Sequence, residues 1–367
     1  MVIIFCVSLQ SFITETIVLI HKELFMMDRK TLLTLCLIGL LNFTIFAQKE
    51  YKTAVVAFYN LENLFDTEDD PLINDEEFLP NGANQWTEER YQQKLIRLSE
   101  VIDALAKEKG CPIVVGTSEI ENEKVMLDLA ATDILKPYHF GVVHHDSPDR
   151  RGVDVAFLYN KDRFKVLSQR AFRLYYAADT SFRTRDQLLM SGIVDNGDTL
   201  HLIVNHYPSK RGGEKRSMPL RMAAANLTRH IVDSLQIINP NAKIVVLGDL
   251  NDNPNAKSLI EVLRAKGKIK DLAAGDLFNP MWQMYRDGLA SYIYRDMPEM
   301  IDNIIVSQGL LQPNNGVYHF SSAHVFRKNF MITQTGSFAG YPFRTYAGGS
   351  YAGGYSDHFP VYIILNR

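Results

Sequence analysis

Short apolar runs that end on a carboxylate, a carboxamide or a histidine recur along the chain. The clearest is residues 244–247, which are followed by Gly248-Asp249-Leu250-Asn251. A run of this length and composition is typical of a strand buried on both faces, and the glycine lets the chain turn. We therefore expect Asp249 and Asn251 to be held at the rim of a sheet, where sites in α/β proteins are commonly built. The alternative is a turn that uses both side chains only for local backbone hydrogen bonds.

The same arrangement of an apolar strand beside a polar residue is predicted at several other places. Strand-like runs cover 53–59, 112–116, 199–206 and 300–306, and a closing strand covers 360–365. The polar residues at the ends of these strands are Asn60, Glu62, Glu119, His206, Asp249, Asn251, Asp302, Asp357 and His358.

Segments with helical periodicity lie between these predicted strands. Thr87 is a suitable N-cap for a helix that runs to about Lys109, and further helices are predicted over 124–131, 217–235 and 258–266. Asn196-Gly197 is a type I′ hairpin signal between two strands. Helices that alternate with strands, together with hairpins, favour an α/β (α+β) fold with mixed sheets covered by helices.

The first 47 residues have the character of a leader. Asp28-Arg29-Lys30 precedes an apolar run that ends at Ala47, which is the pattern of a secretory signal peptide. Met26 and Met27 stand just before it, so we interpret 1–47 as an N-terminal over-extension plus a signal peptide. A two-segment membrane anchor is the alternative. The mature protein, 48–367, is then an exported bacterial protein, periplasmic, cell-surface or secreted, with no stable membrane span.

Composition limits the classes of function. The 367 residues are 46% hydrophobic and 22% charged, which is typical of a globular protein with a large core. Basic and acidic residues of the leader cancel, so the net charge of −3 also applies to 48–367. This is not the strongly basic balance of a tight nucleic-acid binder, and recognition of a polyanion must be local.

The candidate chemistry is that of hard oxygen ligands. Only Cys111 remains in 48–367, and the chain has no HExxH, GxSxG or P-loop motif, which disfavours a structural zinc site, a serine hydrolase and a P-loop enzyme. Carboxylates and carboxamides suit Mg²⁺, with Mn²⁺ as a possible substitute. Histidines suit proton handling and stabilisation of a phosphoryl transition state.

The order and spacing of these residues resemble the endonuclease/exonuclease/phosphatase superfamily over about 53–365. Gly248-Asp249-Leu250-Asn251 and Ser356-Asp357-His358 look like two of its motifs. The resemblance implies a four-layer sandwich, with two mixed β-sheets face to face and helices on both outer faces. It also implies a metal-dependent phosphoric ester hydrolase that uses an activated water, most simply a monomer with no protein partner.

The resemblance implies a role for each strand-end residue. The residues that would lie on the metal side of the site are Asn60, Glu62, Glu119 and Asp357. The residues expected to be catalytic are His206, Asp249, Asn251, Asp302 and His358. Asp302 would orient the imidazole of His358, and either Asp249 or His358 would be the base.

Two further segments look like signatures of predicted secreted bacterial nucleases of this superfamily, residues 59–66 and 205–213. DNA or RNA is therefore the expected phosphoester substrate, with Arg151, Lys210 and Arg211 as substrate-binding residues. A phosphatase, a sphingomyelinase-like lipid or sugar phosphodiesterase, and an inactive binding module remain alternatives. The Gly- and Tyr-rich segment 336–355 is unassigned, and its aromatic residues suit either membrane entry or base stacking.

Overall fold

The structure is a computed structural model that describes residues 53–195, 197–313 and 316–367. The leader predicted over 1–47, its boundary with the catalytic domain and the Asn196-Gly197 turn lie wholly or partly outside the described residues.

Strands make up much of the described chain. In chain order they are β1 (Thr53–Leu64), β2 (Val114–Ile120), β3 (Phe140–His144), β4 (Asp154–Asn160), β5 (Phe164–Phe172), β6 (Gln187–Val194), β7 (Asp198–His206), β8 (Lys243–Asp249), β9 (Ala265–Lys266), β10 (Leu277–Phe278), β11 (Tyr292–Tyr294), β12 (Met297–Glu299), β13 (Asp302–Ser307), β14 (His319–Val325), β15 (Tyr346–Ala347), β16 (Ser350–Tyr351) and β17 (Val361–Asn366).

These strands form two large mixed sheets. The first has the order β14-β17-β1-β2-β4-β3, and the second has the order β5-β6-β7-β8-β13-β10-β9. Within them β1 and β2 are parallel, and so are β7 and β8, whereas β8 and β13 are antiparallel. Two small hairpins, β11-β12 and β15-β16, lie outside the large sheets.

The helices are α1 (Glu88–Lys109), α2 (Glu123–Ala131), α3 (Glu214–Ile238) and α4 (Met281–Arg286), with single 3₁₀ turns at Glu76–Phe78, Lys136–Tyr138, Ile269–Asp271, Gln308–Leu310 and Asn329–Met331. The helix that begins after Thr87 is confirmed, although the Thr87 side chain makes no capping hydrogen bond. The prediction of a helix over 258–266 is wrong. A single π-helical turn, Ser258–Val262, ends before Arg264, which has φ +62°, and the chain then enters β9. A left-handed residue of this kind cannot continue a right-handed helix.

Alternation of apolar side chains along the central strands builds four layers. In β8, Val245 and Leu247 pack between the two sheets, whereas Ile244 and Val246 pack under α3. In β1, alternate residues likewise face the other sheet or the helices α1 and α2. Successive strand side chains point to opposite faces, so each central strand serves two cores. The predicted four-layer sandwich is confirmed.

No helix among the described residues is long and apolar enough to cross a membrane.

Candidate active site

Strand pairing brings the predicted residues to one end of the sandwich. His206, the last residue of β7, is the direct partner of Asp249, the last residue of β8, and Asp302 opens β13 opposite Asp249. In the other sheet, Asn60 and Glu119 lie at the carboxyl ends of the parallel strands β1 and β2. His358 precedes β17, which is antiparallel to β1.

Unusual backbone conformations set the positions of several of these side chains. Glu62, Glu119 and Asn251 have φ values of 51°, 58° and 51°, in the left-handed region that non-glycine residues seldom adopt. Irregular pairing of β1 and β2 accompanies the first two. Gly248 has φ 154°, and a Cβ there would lie 2.2 Å from the carbonyl oxygen of Asn205. Only glycine therefore fits before Asp249.

Asp249 is the centre of the site. Its Oδ2 accepts a hydrogen bond from Asn60 Nδ2 at 3.2 Å, and it lies 3.6 Å from His206 Nε2 and 3.9 Å from His358 Nε2. The side chain is buried. Burial and the neighbouring Asp302 carboxylate raise the pKa of Asp249 above its ordinary value, against the opposing effect of His358. A carboxyl group of this kind can accept a proton near neutral pH.

Asp302 and His358 form the predicted pair. Their Oδ2 and Nδ1 atoms are 2.7 Å apart, and the imidazole of His358 stacks on the ring of Tyr292 with 4.7 Å between centroids. Burial alone would lower the pKa of His358, but the carboxylates of Asp302, Asp357 and Asp249 raise it well above the ordinary value. The hydrogen bond to Asp302 fixes the orientation of the His358 imidazole, and the same carboxylate stabilises its protonated form.

His206 lies in a different electrostatic environment. Burial and the guanidinium groups of Arg185 and Arg151 hold the pKa of His206 well below its ordinary value. Its Nδ1 is buried and has no hydrogen-bond partner among the described residues. The other ring nitrogen, Nε2, lies 3.8 Å from Glu119 Oε1 and 3.6 Å from Asp249 Oδ2, so Nε2 is the nitrogen that faces the centre of the site.

Arg185 is a site residue that the sequence analysis missed. It is buried, donates to Asp149 Oδ2 at 3.1 Å and to the Tyr207 carbonyl at 2.7 Å, and its Nε has no partner in the described part of the chain. Arg185 precedes β6 in Thr184-Arg185-Asp186, where no apolar run marks a strand end. Only the pairing of β6 with β7 places it beside His206.

The oxygen atoms present fit a divalent cation. Glu119, His206 and Asp249 each offer one ligand atom, and these atoms lie within 4.8 Å of one another. Asn60 donates a hydrogen bond to Asp249. Carboxylate and amide oxygens are the ligands that Mg²⁺ and Mn²⁺ prefer. Asp249 also belongs to a second such group, with Asp302 and His358.

Glu62 and Asp357, both predicted as metal-side residues, are engaged by protein cations. Glu62 Oε2 accepts hydrogen bonds from Thr345 N and Oγ1 at 2.7 and 2.8 Å, and lies 3.6 Å from Lys94 Nζ. Arg344 lies 3.5 Å from Glu62 Oε1 and hydrogen-bonds to Asp357. The ligand role predicted for Glu62 and Asp357 stays a prediction, and neither residue belongs to the groups around Asp249 among the described residues.

The three residues predicted to bind substrate through their positive charge differ in exposure and in their ion pairs. Arg211 is exposed and Arg151 lies 3.7 Å from Asp149. Lys210 forms an ion pair with Glu299 and lies 3.9 Å from Glu214, so much of its charge is compensated within the protein.

Segment 336–355 packs on the protein instead of offering a row of free rings. Tyr355 is buried, its carbonyl accepts a hydrogen bond from Lys94, and Tyr346 and Tyr351 pack against the core under α1. Tyr355 is therefore unavailable for base stacking or membrane entry, whereas Tyr346 and Tyr351 are half-buried and their contact with substrate stays a prediction. The helix α1 and the strand β1 hold the segment through the buried Lys94 and Glu62.

Three pairs of site residues join the two sheets. Asn60 contacts Asp249, Glu119 Oε1 lies 3.8 Å from His206 Nε2, and His358 bonds to Asp302. In each pair the first residue comes from the β1 sheet and the second from the β8 sheet. The site is thus complete only where the sheets face each other.

Comparison with solved structures gives many matches to this fold. Humanized TDP2 of D. rerio, with 14 mutations, has TM-score 0.53 and 14% identity, and covers 86% of this chain and 99% of its own. D. rerio TDP2 complexed with single strand DNA product has TM-score 0.51 and 14% identity, covering 86% and 100%. An endonuclease/exonuclease/phosphatase family protein from Bacteroides thetaiotaomicron has TM-score 0.51 and 16% identity, covering 87% and 99%.

Identities this low show the fold alone. No curated protein matches the sequence. A sequence profile described as "Endonuclease/Exonuclease/phosphatase family" matches residues 55–367, which include every residue of the site. The chain therefore belongs to the endonuclease/exonuclease/phosphatase family, whose members are phosphoric ester hydrolases.

Proposed function

We propose that this protein is a divalent-metal-dependent phosphodiesterase, with polynucleotides among its substrates. The observation that carries the proposal is the cluster around Asp249, whose Oδ2 lies 3.6 Å from His206 Nε2 and 3.9 Å from His358 Nε2. The pKa values of Asp249 and His358 are raised, whereas that of His206 is lowered. Groups with pKa values moved apart in this way are typical of acid–base sites.

Each residue of the site has a separate role in an in-line displacement at phosphorus. Glu119 and Asn60 would hold Mg²⁺ or Mn²⁺, which supplies charge stabilisation at the phosphoryl oxygens when bound. As the water oxygen bonds to phosphorus and the bond to the leaving oxygen breaks, Asp249, whose pKa is raised, accepts the proton of the water. His358, whose pKa is also raised, donates a proton to the leaving oxygen. His206, through Nε2, and the Asn251 side chain would contact the phosphate, and Asp302 orients His358 beside it.

A diester is favoured over a monoester by the surroundings of the site. A cavity of about 880 Å³ adjoins Asn251, which leaves room beside the site for a second substituent of the scissile phosphate. The solved structure of D. rerio TDP2 with single strand DNA product supports a nucleic-acid substrate at the level of the shared fold.

The test is a panel of phosphoesters assayed with Mg²⁺, with Mn²⁺ and with a chelator. The panel is bis-p-nitrophenyl phosphate, p-nitrophenyl phosphate, plasmid DNA, single-stranded DNA, RNA and sphingomyelin. We expect metal-dependent turnover of the aryl diester and of nucleic acid, and a loss of about 100-fold or more in Glu119→Gln. Turnover of only the monoester or the lipid would contradict the proposal, as would activity that survives chelation.

We also propose export, which the basic and apolar pattern of 28–47 supports. Mass spectrometry of the protein from its host is expected to show a mature N-terminus near Gln48. A chain that retains Met27 would contradict it.

A further inference from the structure

Two cavities lie on either side of the loop 209–213, which connects β7 to α3. One has a volume of about 880 Å³ and the other about 520 Å³, and Ser209, Arg211 and Gly212 line both. Volumes of this size accommodate organic ligands. Because the two cavities share this loop, an extended ligand can occupy both by crossing it.

The larger cavity, which we call the tyrosine cleft, is rich in aromatic and apolar side chains. Its lining includes Asn251, Tyr285, Tyr292, Tyr294, Met297 and Pro298. Tyr292 stacks on His358, so the cleft adjoins the site through Tyr292 and Asn251. Tyr294 is 50% exposed and Met297 is 66% exposed. Apolar rings left open beside a catalytic centre are suited to a planar group of the substrate.

The smaller cavity, which we call the arginine cavity, has the opposite character. Its lining includes Arg183, Arg211 and Arg216 together with the rings of Tyr176 and Phe182. None of these three arginines forms an ion pair with a carboxylate in the described part of the chain. Arg183 instead donates to the Thr180 and Phe182 carbonyls. Asp179 also lines the cavity, so the three guanidinium groups outnumber its one carboxylate and form a local anion site.

We propose that a single strand of nucleic acid crosses the 209–213 loop, with an unpaired base in the tyrosine cleft and the neighbouring phosphates on Arg183, Arg211 and Arg216. This rests on the proposed phosphodiesterase function and adds the path and the strandedness of its substrate. A base within a duplex presents no free face to Tyr294, so the cleft selects unpaired nucleotides. A sugar phosphate or a lipid would use the tyrosine cleft without needing the row of arginines beyond the loop.

The experiment measures binding without hydrolysis. Fluorescence anisotropy of labelled (dT)10 is recorded in EDTA between 50 and 200 mM salt, for the wild type and for variants of each cavity. We expect Arg183→Gln and Arg216→Gln each to weaken binding and to flatten the slope of log K against log salt by about 0.7. Tyr294→Ala should weaken binding about 5- to 100-fold, whereas Tyr294→Phe should retain it. Arg170→Gln, an exposed arginine of β5 outside both cavities, is the matched control for charge.

Two results would overturn the path across the loop: affinity and salt slope unchanged in the Arg183, Arg216 and Tyr294 variants, or a ten-base-pair duplex that binds more tightly than (dT)10. Hydrolysis of bis-p-nitrophenyl phosphate by the wild type is measured in parallel. Metal-dependent hydrolysis without (dT)10 binding overturns the path but leaves the phosphodiesterase standing. Binding with no hydrolysis of any ester overturns the enzyme and leaves the binding path supported.

Discussion

Replacing Glu62 by glutamine separates an anchoring role from a ligand role. The Glu62 carboxylate is buried, accepts two hydrogen bonds from Thr345 and lies 3.6 Å from the buried Lys94 ammonium. Removing one partner of a buried ion pair costs about 3–5 kcal/mol. Glutamine keeps one acceptor oxygen for Thr345, and Lys94 keeps its hydrogen bonds to Thr345 Oγ1 and the Tyr355 carbonyl. We therefore expect Glu62→Gln to lower the free energy of unfolding by about 3 kcal/mol.

Two measurements on the same variants decide between the roles. Urea unfolding gives the stability, and calorimetric titration with Mn²⁺ gives the metal affinity. If Glu62 anchors segment 336–355, the affinity of Glu62→Gln stays within about threefold of the wild type, whereas Glu119→Gln loses at least tenfold. The double variant Glu62→Gln/Lys94→Met should be less destabilised than the sum of the single changes.

Additive losses of stability would show that Glu62 and Lys94 do not act as a pair. A loss of Mn²⁺ affinity in Glu62→Gln as large as that in Glu119→Gln would show that Glu62 is a ligand. Either result would refute the anchoring role.

Three further outcomes follow from contacts in and around the site. Asp302→Asn and His358→Ala should each reduce kcat about 100-fold or more, and the double variant should lose little beyond either single change, whereas multiplicative losses would separate the pair. Gly248→Ala should destabilise the fold by about 3 kcal/mol or prevent folding, measured by urea unfolding, because its Cβ would meet a backbone oxygen. Burial lowers the pKa of His201. The unfolded chain therefore binds a proton below about pH 6.5 that the folded chain does not, and stability falls as the pH drops through that value. His201→Asn should remove this part of the decline when unfolding midpoints at pH 7.5 and 5.5 are compared.

The central strands and the ends of β1, β2, β7, β8 and β13 were predictable because their apolar runs are continuous and their polar ends abrupt. This change from apolar to polar residues marks Asp249, His206 and Asp302. The pairing of their strands then brings the three residues together. The shape of the fold came from the resemblance, since periodicity indicates elements but not which sheet each strand joins.

Residues whose roles depend on tertiary contacts gave no such signal. Arg185 stands in a polar stretch, and only the docking of that stretch against β7 gives it a partner. Lys94 looks like an ordinary surface lysine of an amphipathic helix, yet it is buried by segment 336–355. Of the tyrosines in 336–355, Tyr355 is buried in the core, while Tyr292 and Tyr294, in a short hairpin without strong periodicity, line the cleft. Short elements held by distant contacts are poorly marked in local sequence.

Each of the three pairs of site residues is divided between the two sheets, so the thickness of the hydrophobic layer between the sheets sets the distance within each pair. Asn60 and Asp249, Glu119 and His206, and His358 and Asp302 meet only if the layers between them have the correct thickness. Leu247 and Phe58 help to set that thickness, although neither touches a substrate. A substitution of such a side chain can change the distance between site residues of opposite sheets as well as the stability. A variant that stays fully folded can therefore still lose activity.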